Sequence, residues 1–159
     1  MTEPMALGWS TEGCTIQGTT EVMGDRWSLL VLRELFAGIR RFDQLTVRTA
    51  IPRQVLTDRL ERFVEAGVLR REPYQEPGQR RRYEYRLTQK GLDLYPVLLA
   101  MLKWGDAYLA GPDGPTVEFE HRDCGGRLDV VVRCAAGHEV ANNREIGGRP
   151  GPGARRRSA

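Results

Sequence analysis

No apolar run in this chain of 159 residues approaches the roughly 18 that a membrane-crossing helix needs. The nearest, Tyr95 to Leu102, is short and broken by Pro96, so no membrane partner is expected. The N-terminal segment opens on Glu3 and Pro4 instead of a basic stretch followed by an apolar one, which argues against export and for a cytoplasmic location. Cysteine is scarce. Three cysteines cannot all pair within one chain, and a reducing compartment favours free thiols or a metal site over a disulfide framework. Only two histidines occur, neither beside a nucleophile motif, and there is no phosphate-binding glycine loop or evident carboxylate pair. An enzyme is therefore not expected.

With 40% hydrophobic residues, the chain can fill one main core and carry small appendages, but not two full domains. Its net charge of +3 is unevenly spread. Between Ala37 and Lys90 thirteen basic residues face seven acidic ones, so the remainder is net acidic. Such a basic segment suits phosphate neutralisation, although a solvated charged face would leave the same imprint.

Helical spacing is plain in the first half. Ile16 to Met23 forms a short helix that ends at Gly24-Asp25. Trp27, Leu30, Val31, Leu35 and Phe36 line one face of a second helix, which Gly38 stops. Phe42, Leu45 and Val47 mark a third, and Thr49-Ala50-Ile51-Pro52 turns the chain into a fourth. That helix carries an inward stripe of Val55, Leu56, Leu60, Phe63 and Val64 and is closed by Gly67. The stripe leaves Arg53, Gln54, Thr57 and Asp58 pointing outward near the helix start, the end that enters the major groove in a helix-turn-helix. Arg can grip guanine and Gln adenine with paired hydrogen bonds; Asp58 would accept from cytosine or pair with Arg62.

Val68 to Tyr74 and Tyr83 to Leu87 are expected strands of a hairpin. Its connection holds a Pro77-Gly78 turn signal and ends in Arg80, Arg81 and Arg82. Together with Arg41, these arginines are suited to DNA backbone or minor-groove contact. A longest helix is expected from Thr88 to about Leu109, kinked at Pro96. It carries two apolar stripes: Leu94, Val97, Met101, Trp104 and Tyr108, and beside them Tyr95, Leu98, Leu102 and Leu109. One stripe can pack on its own domain and the other on a twin subunit, as a reader of two half-sites requires.

These residues resemble the HxlR family of bacterial winged helix-turn-helix regulators, which are MarR-like. The likeness covers about Cys14 to Leu109. It rests on Gly24-Asp25-Arg26-Trp27-Ser28-Leu29-Leu30, Arg40-Arg41-Phe42-Asp43-Gln44-Leu45, Leu56-Thr57-Asp58-Arg59-Leu60, Tyr83-Glu84-Tyr85-Arg86-Leu87-Thr88 and Trp104-Gly105. The resemblance implies a homodimer on a pseudo-palindromic operator at the bacterial nucleoid, repressing or activating. Pro52 stands where the family usually has a capping serine, and Thr15 where a proline commonly follows the cysteine. The resemblance also implies a role for Cys14 as a sensor of an oxidant or small-molecule effector, against the alternative of a space-filling thiol.

The fold class is thus mainly α with a small β-hairpin wing, plus a small C-terminal β appendage. Residues 1–110 would form the DNA-binding and dimerisation domain, 116–141 a small hairpin, and 142–159 a disordered basic tail. The hairpin would have strands around Val117 and Phe119 and around Leu128, Val130 and Val132. His121, Cys124, Cys134 and His138 have a spacing compatible with a structural zinc, and equally with a hairpin bearing two semi-buried cysteines. The rival function is a winged-helix protein-interaction module without specific DNA binding.

Overall fold

A computed structural model describes residues 10 and 12–156. The expectations for Glu3, Pro4 and the last residues of the tail lie outside that range. The chain forms α1 (Thr15–Met23), α2 (Arg26–Phe36), α3 (Phe42–Thr49), α4 (Arg53–Glu65), β1 (Leu69–Tyr74), β2 (Arg82–Leu87), α5 (Gln89–Leu92) and α6 (Tyr95–Tyr108). The described residues fall into two compact units. One spans 22–130; the other joins residues up to 21 with those from 131 onward, and in it the Ser10 N–H donates to the Arg155 carbonyl at 2.8 Å.

The first unit is built around α2. Asp25 caps it by accepting from the N–H groups of Trp27 and Ser28, as expected of a short acidic side chain at a helix start. Val31, Leu32 and Leu35 turn inward and meet Leu45 of α3, Leu56, Leu60 and Phe63 of α4, and Ile51 of the turn between them. Each of these is at most 4% exposed. Fully burying a side chain of this kind contributes about 1.5–3 kcal/mol, so this cluster fixes the helices. Val47, which with Phe42 and Leu45 marks α3 in the sequence, is 83% exposed. It stands two residues from Leu45, about 200° around the helix, so both cannot face one core.

Gly38 and Gly67 end α2 and α4 in left-handed conformations, φ 86° and 70°, that an L side chain would strain. After α4, the Gly67 N–H reaches the Val64 carbonyl and the Val68 N–H the Phe63 carbonyl, which satisfies the helix end and sends the chain into β1. The antiparallel hairpin pairs Leu69 with Leu87 through to Tyr74 with Arg82. A third edge comes from the segment before α3: the Tyr85 N–H donates to the Arg40 carbonyl at 2.9 Å, and Arg41 bridges to Glu84. The architecture is a winged helix-turn-helix.

The long helix expected from Thr88 is two helices. Thr88 caps α5 by accepting from the Gly91 N–H, the chain turns at Asp93 and Leu94, and α6 restarts with Pro96 in its first turn. A proline's missing donor costs nothing there, whereas inside a continuous helix it would break a bond, so a break replaces the expected kink. Phe36 and Tyr95 rings, 5.2 Å apart and tilted, join α2 to α6. Leu94, Leu98 and Leu99 lie inward, while Val97, Met101, Trp104 and Tyr108 are exposed.

Among the described residues after 116 no regular strand forms. Single bridges, Glu120 with Arg127 and Arg133 with Glu139, each close a tight loop instead. The segment expected to lack structure holds one turn of 3-10 helix at Asn143–Glu145.

Glu34 is the buried charge of the core, 1% exposed. Its Oε1 accepts from Arg33 and its Oε2 from Arg48 of α3, at 2.6 and 2.8 Å. Burial pushes its carboxyl up, but the bonds from Arg48 and Arg33 outweigh burial and hold it below the usual 4.5. Its stabilisation is present above that value and is lost as pH falls through the lower, folded value. Glu34→Gln is expected to cost about 1–3 kcal/mol at neutral pH, measured by urea unfolding, with the gap from wild type closing below about pH 4.5. A pH-independent gap would show that volume, not charge, matters there.

Candidate nucleic-acid interface

The turn between α3 and α4 sets the direction in which α4 begins. Ala50 adopts φ 52°, the one positive φ at a non-glycine among the described residues, and Ile51 then drops into the core at 2% exposure. Pro52 sits at the N-cap of α4 with no side-chain acceptor, and its carbonyl takes the Leu56 N–H at 2.9 Å. The first N–H groups of α4 are therefore not capped by a protein side chain from that position, which suits a helix start that meets phosphate.

Arg53, Gln54 and Asp58 are exposed on α4, and Thr57 is half-buried. The Arg53 guanidinium lies 4.9 Å from the ring centroid of Phe42, a cation–π contact that sequence alone did not single out. Gln54 Nε2 donates to Asp58 Oδ1 at 2.8 Å, again a partner that the spacing had not named. Thr57 turns its hydroxyl back to the Arg53 carbonyl at 3.0 Å, so the donor is engaged within the helix. On the inner side of α4, Arg59 Nε approaches Asp25 Oδ1 at 3.1 Å, which anchors the recognition helix to the start of α2. Burial pushes the Asp25 carboxyl up, yet its bonds from the Ser28 hydroxyl and N–H and the charge of Arg59 hold it below 3.8.

The arginines grouped with the wing divide into two kinds. Arg41 is turned inward to the protein: its Nη1 lies 2.5 Å from Glu76 Oε1, and its guanidinium sits 4.3 Å from the Tyr74 ring centroid. The bond to Glu76 raises its already high pKa. Arg80, Arg81 and Arg82 are exposed, and among the described residues no acidic side chain pairs with them. Along the hairpin, Glu72 accepts from Arg70 at 2.8 Å, Arg86 donates its Nε–H to Glu84 at 2.6 Å, and the same Arg86 Nε forms an ion pair with Glu72. These pairs neutralise the strands and leave the net positive charge at the tip.

A family model described as HxlR-like helix-turn-helix matches residues 22–113. This chain belongs to that family. An uncharacterized HTH-type transcriptional regulator of Mycobacterium tuberculosis is 41% identical over 142 residues, spanning 89% of each chain. The crystal structure of PA1607, described as a candidate transcription factor, superposes with a TM-score of 0.76 at 33% identity, covering 87% of this chain and 96% of that one. The reduced form of the redox regulator HypR gives a TM-score of 0.52 at 28% identity, over 58% of this chain and 91% of HypR. The protein is a transcriptional regulator with a DNA-binding helix-turn-helix fold. Among the described residues no helix is long and apolar enough to cross a membrane.

Outside the family's matched segment, this HxlR-like regulator carries the suspected metal ligands on two tight loops. Cys124 Sγ lies 3.4 Å from His121 Nδ1, in a loop closed by the Gly125 N–H on the His121 carbonyl. Cys134 Sγ lies 3.6 Å from His138 Nδ1, in a loop closed by the Gly137 N–H on the Cys134 carbonyl. Among the described residues no group of three or more His, Cys, Asp and Glu able to hold a metal ion is found. All three cysteines are free and exposed, and Cys14 immediately precedes α1.

The division of the wing arginines predicts different salt dependences. Replacing Arg80, Arg81 or Arg82 by Ala is expected to lower the slope of log K against log salt on a DNA duplex by up to about 0.9 each. Arg41→Ala is expected to weaken binding with the slope unchanged. Fluorescence titrations at several salt concentrations read both, and a lost slope unit in Arg41→Ala would place it on a phosphate.

Proposed function

We propose that this protein regulates transcription as a homodimer, each copy laying the start of α4 in the major groove of one half of a pseudo-palindromic operator. The hairpin wings flank the half-sites. The observation that carries this reading is the pairing of an exposed helix start, bearing Arg53 and Gln54, with a wing tip whose Arg80, Arg81 and Arg82 are not engaged by acids among the described residues. One element offers hydrogen-bonding groups to base edges, and the other offers charge to the backbone. Anisotropy of the reduced protein on the DNA upstream of its own gene, with a scrambled duplex beside it, tests the reading. Salt-dependent binding at least about a thousandfold tighter to the native duplex supports it. Equal, weak binding to both favours an interaction module built on the same fold.

The homodimer is supported by the outward stripe of α6. Val97, Met101, Trp104 and Leu109 are 45%, 49%, 59% and 72% exposed, and they form one apolar strip with Ala100 and Gly105. Leaving that much contiguous apolar surface in water is unfavourable, and a second copy of the same strip covers it with the two-fold symmetry of a palindrome. Met101→Glu with Trp104→Glu is expected to give monomers by analytical ultracentrifugation. The same pair should lower affinity for the two-half-site duplex by more than about tenfold while affinity for a single half-site holds. A dimer that survives both charges would remove α6 from the interface.

Response to thiol chemistry belongs to the same proposal. Cys14 is exposed just before α1, and the related regulator HypR has been solved in reduced and oxidised forms. Oxidation or alkylation at Cys14 would alter the approach to α1. Operator release by a quinone or hypochlorite is expected to be lost in Cys14→Ser, read by the same anisotropy; release undiminished in the variant would dismiss the thiol.

A further inference from the structure

Gln54 and Asp58 stand one turn apart on the exposed face of α4, and their hydrogen bond has a consequence for base reading. A carboxylate only accepts, so it can hold only the NH2 end of the Gln54 amide. A free glutamine can exchange the places of its oxygen and nitrogen by a half-turn; Asp58 opposes that exchange. Oε1 and the remaining N–H of Gln54 then form an edge of one acceptor and one donor in a fixed left-to-right order. Adenine presents its N6 amino donor and N7 acceptor in the major groove, which is the complementary edge, whereas guanine presents two acceptors. We propose that Asp58 is a positioning residue that orders the Gln54 amide for adenine, and that it does not itself read a base. This rests on the operator-binding reading above.

Asp58 suits that role for a second reason. A carboxylate on the face of a helix that meets DNA repels phosphates, so its presence there calls for a use that outweighs the repulsion. Holding a neighbour's amide is such a use, and it needs no contact between Asp58 and the DNA. Arg53, held over Phe42 at the start of α3, makes a separate contact, so the two readers answer to different partners.

Selection of bound duplexes from a randomised pool, with full-length wild type, Gln54→Ala, Asp58→Ala and Asp58→Asn, tests the assignment. Wild type is expected to enrich adenine at one position of each half-site by about 5- to 150-fold over other bases. Gln54→Ala should abolish the preference at that position. Asp58→Ala should reduce it at least about threefold at the same position, with preferences elsewhere unchanged. Asn can donate as well as accept, so Asp58→Asn should relax the order of the amide and give the same loss. A changed preference at a different position would show that Asp58 reads its own base. An unchanged profile in both Asp58 variants, or guanine enriched at the Gln54 position, would overturn the proposal. If wild type itself enriches no sequence, the operator-binding reading fails, and this one falls with it.

Discussion

The helix-turn-helix depends on two carboxylates, one within α2 and one capping it. Glu34, buried near the end of α2, holds Arg48 of α3; Asp25, capping its start, holds Arg59 of α4. Both helices of the helix-turn-helix are thus tied to a common rod by ion pairs, of which the one from Arg48 to Glu34 is also a hydrogen bond, while Leu45, Leu56, Leu60 and Phe63 pack against its apolar stripe. Packing alone fixes how far apart helices lie, but it is tolerant of sliding. Ion pairs with one geometry remove that tolerance, at the cost of a buried carboxylate that only its arginines make acceptable.

Specific contacts then divide the outward-facing residues by task. Side chains that would be counted together as a basic patch separate into those held by the protein and those left for a partner. Arg41 is occupied by Glu76 and Tyr74, Arg70 by Glu72, and Arg86 by Glu72 and Glu84. The tip of the wing alone keeps unbalanced charge. A similar economy governs α4, where Phe42 and Asp58 order the side chains of Arg53 and Gln54 before any DNA arrives. Ordering a long side chain in advance removes part of the entropy that binding would otherwise cost.

The wing strands, the two glycine stops and the turn at Ala50 to Pro52 are legible in the sequence because each has a local cause. A left-handed glycine, a proline at a helix start and an alternating run of tyrosines act over a few residues. Val47 and the loops after residue 116 were not legible in the same way. Val47 satisfies a count of apolar residues but not the angle around α3, and Val117, Phe119, Val130 and Val132 alternate like strands without gaining a ladder to join. The break at Asp93 and Leu94 shows the same limit: Pro96 announces a discontinuity, but its place in the first turn of a new helix is seen only in the folded chain.

Periodicity and capping, which are properties of neighbouring residues, were enough to set the helix-turn-helix, the wing that follows it and the inward faces of α2 and α4. Folding was needed to set the partner of each arginine: Arg48 closes on Glu34, Arg41 on Glu76, and Arg53 on the ring of Phe42. These partners lie 14, 35 and 11 residues apart in the chain. No local rule reaches that far, because the distance between such groups is set by the packing of the helices that bear them.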